Sequence, residues 1–163
     1  MYKKFSLIVI LVLFSLLMSG QDGYKALLKT LYQGTVPLIY PKDLAGMPPS
    51  VILDTRSRRE YAVSHLEKAR FVDYDTFDPA MVANVPKNQT IVVYCSVGYR
   101  SEKIGERLLK EGYTNVYNLY GGVFQWVNEG RPVVNMRGVM TDSVHTYNKE
   151  WSVWLHKGIK VYE

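Results

Sequence analysis

The feature of this sequence that most constrains its fold is a repeated alternation of short apolar runs with helix-like segments. Residues 51–53, 90–94 and 116–119 form short runs bounded by turn residues, which is typical of buried strands. Segments 58–64 and 101–111 lie between these runs and have helical patterns of apolar residues. Strand, helix and strand in this repeated order predict a parallel sheet with helices on both faces.

The predicted fold is one α/β domain of three layers, in which helices flank a central and mostly parallel sheet of five strands. Residues 69–72 are expected to add a strand, and residues 36–39 an edge strand. Residues 22–32 and 148–157 have apolar side chains at helical spacing, so both are predicted to be helices that pack on the domain. The aromatic face of the second segment is more typical of core packing than of a partner site.

The N-terminus has the layout of a secretory signal peptide. Lys3 and Lys4 precede an apolar run over residues 5–18, and the small residues Ser19 and Gly20 follow it. A helix over this run is about 21 Å long, which is less than the ~30 Å hydrocarbon core of a membrane. We therefore expect cleavage after Gly20 and export to the periplasm or the cell exterior. The alternative is an uncleaved N-terminal membrane anchor.

These patterns divide the chain into four parts. The expected parts are a signal peptide over residues 1–20, an N-terminal helix and lead-in strand over 21–50, a core over 51–134, and a C-terminal helical extension packed on the domain over 135–163. After cleavage the chain is long enough for one domain with a buried core, and we expect a monomer.

Charge limits the classes of partner. The formal net charge is +5, and the basic residues are spread along the chain instead of clustered. This distribution predicts no nucleic-acid partner and at most a weak attraction for small anions. His65, His145 and His156 do not have the spacing of metal ligands, so no metal site is predicted.

Cysteine usage points to a reactive group. The chain has one cysteine, Cys95, which can form no internal disulfide. Free cysteines are often buried and inert. A single thiol in an oxidising compartment is also a candidate reactive group, and its surroundings decide between the two interpretations.

The surroundings of Cys95 are a tight loop between a predicted strand and a predicted helix. The loop comprises Cys95, Ser96, Val97, Gly98, Tyr99 and Arg100, and the helix begins near Ser101. Ligands of open α/β sheets bind beyond the carboxyl ends of the strands. Inward-facing backbone N–H groups and the positive end of the helix favour an anion there, and the same field favours the nucleophilic thiolate of cysteine.

Arg100 adds a permanent positive charge to this loop. Its planar guanidinium can bind an oxyanion, or it can tie the loop to a carboxylate such as Asp54 or Glu60. The sequence leaves both roles open.

Residues 51–134 resemble a rhodanese domain, because several short motifs agree with that family in order and spacing. The motifs are 51–56 with Glu60-Tyr61 and Ser64-His65-Leu66, then Cys95 to Ser101, then Gly112-Tyr113 and Asn115-Val116, and finally Gly121-Gly122 with Trp126, Gly130 and Pro132.

The resemblance implies that Cys95 is the catalytic residue, that Ser96 to Arg100 form the substrate-binding loop, and that Asp54, Arg56 and Ser101 support it. It also places the family's histidine at His65, which we expect to brace the fold. The implied activity is transfer of sulfane sulfur from thiosulfate or a persulfide to a thiol or cyanide, through a Cys95 persulfide and without a cofactor. The implied partners are a small sulfur-donor anion and a thiol acceptor such as a thioredoxin-like protein.

Two alternatives remain. Cysteine-dependent phosphatases and arsenate reductases resemble this arrangement, but they place five residues between cysteine and arginine, whereas four separate Cys95 from Arg100. The second alternative is a non-catalytic binding module with the rhodanese fold. Degenerate modules of this kind usually lack the cysteine, so its presence favours an enzyme.

Overall fold

The structure is a computed structural model that describes residues 20–48 and 50–162. Apart from Gly20, the expected signal peptide therefore lies outside the described residues. Within the described ranges, no helix is both long and apolar enough to cross a membrane.

A parallel sheet of five strands forms the centre of the domain. The strands are β1 (Leu38–Ile39), β2 (Val51–Asp54), β3 (Arg70–Phe71), β4 (Ile91–Tyr94) and β5 (Val116–Leu119). Their order in the sheet is β1-β5-β4-β2-β3, and all four pairings are parallel. The prediction of a central, mostly parallel five-stranded sheet is thus confirmed, with β1 at one edge.

The helices cover both faces of this sheet. They are α1 (Gly20–Leu31), α2 (Pro41–Leu44), α3 (Arg58–Val63), α4 (Tyr99–Lys110) and α5 (Gly122–Asn128), with 3-10 turns at Pro79–Val82 and Trp151–Trp154. The helices predicted over 22–32, 58–64 and 101–111 are confirmed as α1, α3 and α4, with shifts of one or two residues at their ends.

The strand pleat explains why the core has two parts. Successive side chains of a strand point to opposite faces. In β4, Val92 and Tyr94 join an apolar cluster that includes residues of α1 and α5, whereas Ile91 and Val93 join a second cluster with residues of α4. Because β4 is buried on both faces, the Cys95 loop that follows it begins deep in the domain.

The C-terminal extension differs from its predicted helical form. The segment 148–157 contains only the 3-10 turn Trp151–Trp154. The extension also contains strands: β7 (Met140–Thr141) pairs with β6 (Val133–Val134), and β8 (Ser143–His145) pairs in parallel with β9 (Ile159–Val161).

Local polar groups explain why a longer helix does not form there. The Asn148 side chain accepts a hydrogen bond from the Trp151 amide (2.9 Å), and the Ser152 hydroxyl donates to the Lys149 carbonyl (2.7 Å). Such side chains compete with helical backbone bonds. The apolar residues still pack as expected, since Leu155 is buried and the Trp154 ring stacks on Tyr24.

Candidate functional site

The Cys95 loop, residues 95–100, follows β4 at the carboxyl end of the sheet, and its last two residues, Tyr99 and Arg100, already form the start of α4. Gly98 is the N-cap of α4 and has a left-handed backbone with φ of 105°. A side chain at this position would also overlap the phenol ring of Tyr32. Glycine is therefore required here for both backbone and space, and it permits the chain to turn sharply before the helix.

The loop is held from behind through its carbonyl groups. Four successive carbonyls accept hydrogen bonds: Cys95 from the Val123 amide (2.9 Å), Ser96 from the Phe124 amide (3.1 Å), Val97 from the Tyr32 hydroxyl (2.7 Å), and Gly98 from the Asn118 side-chain amide (2.9 Å). The first two donors lie in the first turn of α5, whose amides have no acceptor within their own helix.

This arrangement orients the amides of the loop. In a planar trans peptide the N–H points opposite to the C=O. Carbonyls that are bound behind the loop therefore turn the following N–H groups towards its concave side. The Gly98 amide donates to the Cys95 sulfur at 3.1 Å, so the sulfur lies on the side to which this amide points. We call the loop N–H groups that are turned to the concave side the amide ring.

The close approach of α5 depends on Gly122. A Cβ atom built at Gly122 would overlap the carbonyl oxygens of Cys95 and Ser96. Gly122 also has a positive φ of 56°, which side chains rarely adopt. The Gly121-Gly122 pair of the sequence is thus the point where a second helix docks on the Cys95 loop.

Tyr32 and Asn118 are two site residues that sequence reasoning missed. The Tyr32 hydroxyl donates to the loop carbonyl and accepts from the Gly121 amide (2.8 Å), so it joins the loop to the turn before α5. Asn118 is fully buried in β5. A polar residue inside an apolar strand run was a readable signal for Asn118, whereas nothing near Tyr32 in the sequence marks its role.

Arg100 forms a paired contact with Glu60. Its two terminal nitrogens donate to the two carboxylate oxygens at 2.9 and 2.7 Å, and one also donates to the Ser96 hydroxyl at 3.1 Å. The Ser96 hydroxyl in turn donates to Glu60 at 2.9 Å. Of the two carboxylates left open by the sequence, Arg100 therefore binds Glu60, and its fork braces the loop.

Glu60 is buried but ionised. Burial alone would raise the pKa of its carboxyl group, but the hydrogen bonds and charge of Arg100, the charge of Arg56 and the Ser57 amide outweigh burial and lower the pKa to about 2. Glu60 also completes the capping box of α3 with Ser57. One carboxylate therefore ties the start of α3 to the Cys95 loop.

Asp54 and Arg56 form a fully buried ion pair at the end of β2. The Arg56 guanidinium donates to Asp54 at 2.7 Å and to the Ser64 carbonyl at 2.6 Å. The Tyr94 hydroxyl donates to Asp54 at 2.6 Å, and Tyr94 directly precedes Cys95. The pair thus lies beneath the loop, and it contacts the loop through Tyr94.

Ser101 and His65 have different places in this arrangement. The Ser101 hydroxyl donates to the Asn118 side chain at 2.7 Å, and so it orients the amide that binds the Gly98 carbonyl. His65 stacks on the Tyr61 ring and lies 3.0 Å from the Tyr61 carbonyl through Nδ1. Its ring therefore contacts α3, and its backbone pairs with Val134 of β6, so these contacts brace the fold away from the Cys95 loop.

A cavity of about 500 Å³ opens in front of Cys95, and we call it the Cys95 cavity. Cys95 itself is buried and lines the cavity. Leu31 of α1 and Trp151 of the C-terminal extension contribute to its walls. In the parts of the chain that the structure describes, no cluster of histidine, cysteine, aspartate and glutamate could hold a metal ion.

Comparison with known families supports the sequence resemblance. The model of the rhodanese-like domain family matches residues 41–129, which is more than half of the chain. Two similar proteins are both named tRNA uridine(34) hydroxylase. The protein from Photorhabdus laumondii is 37% identical over 89 residues, which are 52% of this chain and 25% of that protein. The protein from Pectobacterium carotovorum is 33% identical over 93 residues, which are 54% of this chain and 26% of that protein. The chain therefore spans about a quarter of the length of these curated relatives.

Comparison with solved structures concerns the fold. The rhodanese-like domain of an Anabaena protein, solved by NMR, covers 61% of this chain and 80% of its own length, with a TM-score of 0.56 and 24% identity. That likeness shows the fold alone, and it agrees with the parallel five-stranded sheet described above.

Proposed function

This chain belongs to the rhodanese-like domain family, and from that premise we propose that it is a sulfurtransferase that carries sulfane sulfur on Cys95. The sulfur would come from thiosulfate or a persulfide and would pass to a thiol or to cyanide. The observation that carries the proposal is the 3.1 Å contact between the Gly98 amide and the Cys95 sulfur, within a loop whose carbonyls are bound behind it.

The amide ring fits both anionic states of such a reaction. Preorganised N–H groups stabilise negative charge without reorganisation at the moment of reaction. The Cys95 thiolate attacks the outer sulfur of the donor, the donor sulfur–sulfur bond breaks, and its electron pair leaves with sulfite or with the donor thiolate. The terminal sulfur of the Cys95 persulfide then carries the negative charge beside the loop amides.

The second half-reaction regenerates the enzyme. An acceptor thiolate attacks the terminal sulfur of the Cys95 persulfide, the new sulfur–sulfur bond forms on the acceptor, and the electron pair returns to Cys95 as thiolate. Two half-reactions that share one covalent intermediate predict ping-pong kinetics.

The test is the intact mass of the purified protein before and after incubation with thiosulfate or polysulfide, with Cys95→Ser as the matched control. We expect the wild type alone to gain the mass of one sulfur atom and to lose it on addition of cyanide or a thiol. Absence of the gain with every sulfur donor would refute the proposal, and inertness in all assays would make the non-catalytic binding module the better interpretation.

The geometry argues against the phosphatase or arsenate reductase alternative. Both arms of the Arg100 fork bind the Glu60 carboxylate, so this guanidinium is already neutralised and cannot clasp a phosphate as a free bidentate donor. Turnover of an aryl phosphate or of arsenate, lost in Cys95→Ser, would overturn this conclusion.

The name of the relatives makes RNA modification a second candidate. This chain corresponds to about a quarter of those proteins, and its sequence has no basic cluster. We propose that the chain alone does not bind tRNA, because binding to the phosphate backbone of RNA needs clustered positive charge on the protein. Fluorescence anisotropy with labelled tRNA at low salt tests this point, and tight binding that weakens with salt would favour the RNA role.

We further propose that the chain is exported and works in the periplasm or outside the cell, on the basis of the signal-like segment at its N-terminus. Fractionation of producing cells, with N-terminal sequencing of the product, tests both export and cleavage after Gly20. A full-length product in the cytoplasm would contradict the proposal.

A further inference from the structure

The Cys95 cavity has walls from outside the region that matches the family. That region is residues 41–129. Leu31 lies before it at the end of α1, and Tyr147 and Trp151 lie after it in the C-terminal extension, yet all three line the cavity together with Cys95. The additions to the core thus shape the space in which the sulfur donor or acceptor must sit.

The lining of this space is mainly apolar and aromatic. Besides Leu31 and Trp151, the aromatic residues Tyr74, Tyr99 and Tyr147 line it. Tyr99 and Tyr147 are exposed, with 43% and 58% of their surface accessible, so these rings have apolar area still available to a ligand. Flat rings around one space favour an apolar or aromatic group between them.

The volume of the Cys95 cavity is large for an inorganic sulfur donor. The cavity measures about 500 Å³, within the roughly 300–1,000 Å³ of pockets that bind organic ligands. Thiosulfate occupies only a few times the ~30 Å³ that a water molecule takes up in the liquid. Most of the cavity would therefore stay empty or wet around that anion.

The charges of the lining also disfavour a dianion. Among the lining residues, the carboxylates belong to Glu60 and Asp75, and the cation is Arg100. Because Glu60 neutralises Arg100, Asp75 leaves a net negative charge outside the ring of loop amides. This charge opposes a second negative group on the ligand and tolerates an uncharged one.

Tyr147, which lines the Cys95 cavity, has a strained backbone. Its φ is +68°, which is uncommon for a large side chain, and its amide donates to Nδ1 of the buried His145 at 3.0 Å. Its ring lies 5.6 Å from the Arg100 guanidinium. Strain of this kind persists where the surroundings enforce it, and it often marks a functional position.

We propose that the Cys95 cavity selects an organic thiol, or the corresponding persulfide, whose sulfur is joined to a flat apolar group, and that Tyr147 is a specificity-determining residue for it. This inference rests on the proposed sulfurtransferase function. The apolar group lies between the rings of Tyr147 and Trp151 while its sulfur faces Cys95. The reaction is the balanced exchange described above, with the organic thiolate as acceptor or leaving group.

The test uses the purified protein, in which Cys95 is first converted to the persulfide with inorganic polysulfide. Discharge of the persulfide is then timed with 2-phenylethanethiol and with 2-mercaptoethanol, and the ratio of the two second-order rate constants is compared between variants. Tyr147→Asn removes the ring and tolerates the positive φ. Val153→Ala is the matched control, because Val153 is exposed on the same 3-10 turn as Trp151 and does not line the cavity.

We expect the rate ratio to fall about tenfold in Tyr147→Asn, since an aromatic contact with the ligand is lost, and to stay unchanged in Val153→Ala. Tyr147→Phe keeps the aromatic ring, and we expect its rate ratio to equal that of the wild type. An unchanged ratio in Tyr147→Asn, with both thiols still discharging the persulfide, would refute the cavity inference and leave the sulfurtransferase proposal intact. Failure of the wild type to load sulfur at all would refute both.

Discussion

Replacement of Glu60 by glutamine should reveal how much the domain depends on the link between α3 and the Cys95 loop. Glu60→Gln keeps the size of the side chain and removes its negative charge from between Arg56 and Arg100. The pKa of Glu60 falls from its ordinary value of 4.5 to about 2 in the folded protein. This difference corresponds to about 3 kcal/mol of folding free energy, because each tenfold change in acidity is worth ~1.4 kcal/mol.

The sign of the pH dependence follows from the lowered pKa. A carboxyl group with a depressed folded-state pKa contributes its full stabilisation above the unfolded-state value, and this stabilisation disappears as the pH falls through the folded-state value. The contribution of Glu60 is therefore complete at neutral pH, declines below about pH 4.5, and is gone below about pH 2. At pH 3 less than half of the roughly 3 kcal/mol should remain.

Urea unfolding followed by tryptophan fluorescence measures the effect. We expect Glu60→Gln to lower the free energy of unfolding by about 3 kcal/mol at pH 7 and by about 1 kcal/mol at pH 3. Glu67→Gln is the matched control, because Glu67 is exposed and lies just beyond α3. An equal loss at both pH values would show that shape or hydrogen bonding, and not charge, accounts for the role of Glu60.

Three other substitutions test the bracing of the Cys95 loop, each by the same unfolding measurement and by the rate of persulfide formation. Tyr32→Phe removes the hydroxyl that joins the loop to the turn before α5, and we expect a loss of about 1–3 kcal/mol with slower persulfide formation. Gly122→Ala should cost about 2–4 kcal/mol, because its methyl group would overlap the Cys95 carbonyl and its φ is positive. Asn118→Ala should cost about 1–3 kcal/mol, since it removes the acceptor of the buried Ser101 hydroxyl and leaves the Gly98 carbonyl with only the Glu102 amide as donor. Wild-type stability and rates in any of these variants would show that the corresponding contact does not hold the loop.

The core of the fold was predictable because its signals are local. A buried parallel strand is a continuous apolar run, and a surface helix repeats apolar residues every three or four positions, so β4 and α4 could be read within a dozen residues. The Cys95 loop was predictable for the same reason, since strand, loop and helix follow one another directly in the chain. The same periodicity wrongly predicted a helix over residues 148–157, because the polar side chains of Asn148 and Ser152 bind nearby backbone groups and limit the helical turn to four residues.

Sequence alone determined the order of the five core strands with α1, α3 and α4, the family resemblance and the position of the single cysteine between β4 and α4. Only the tertiary structure decided what surrounds that cysteine. Tyr32 reaches the loop across 65 positions of the chain, and Glu60 meets Arg100 across 40. Periodicity within a segment specifies which face of the segment is buried, but not which distant group will pack against that face. The bracing of the Cys95 loop, and the aromatic walls that Tyr147 and Trp151 add to its cavity, arise only when the packed sheet brings these segments together.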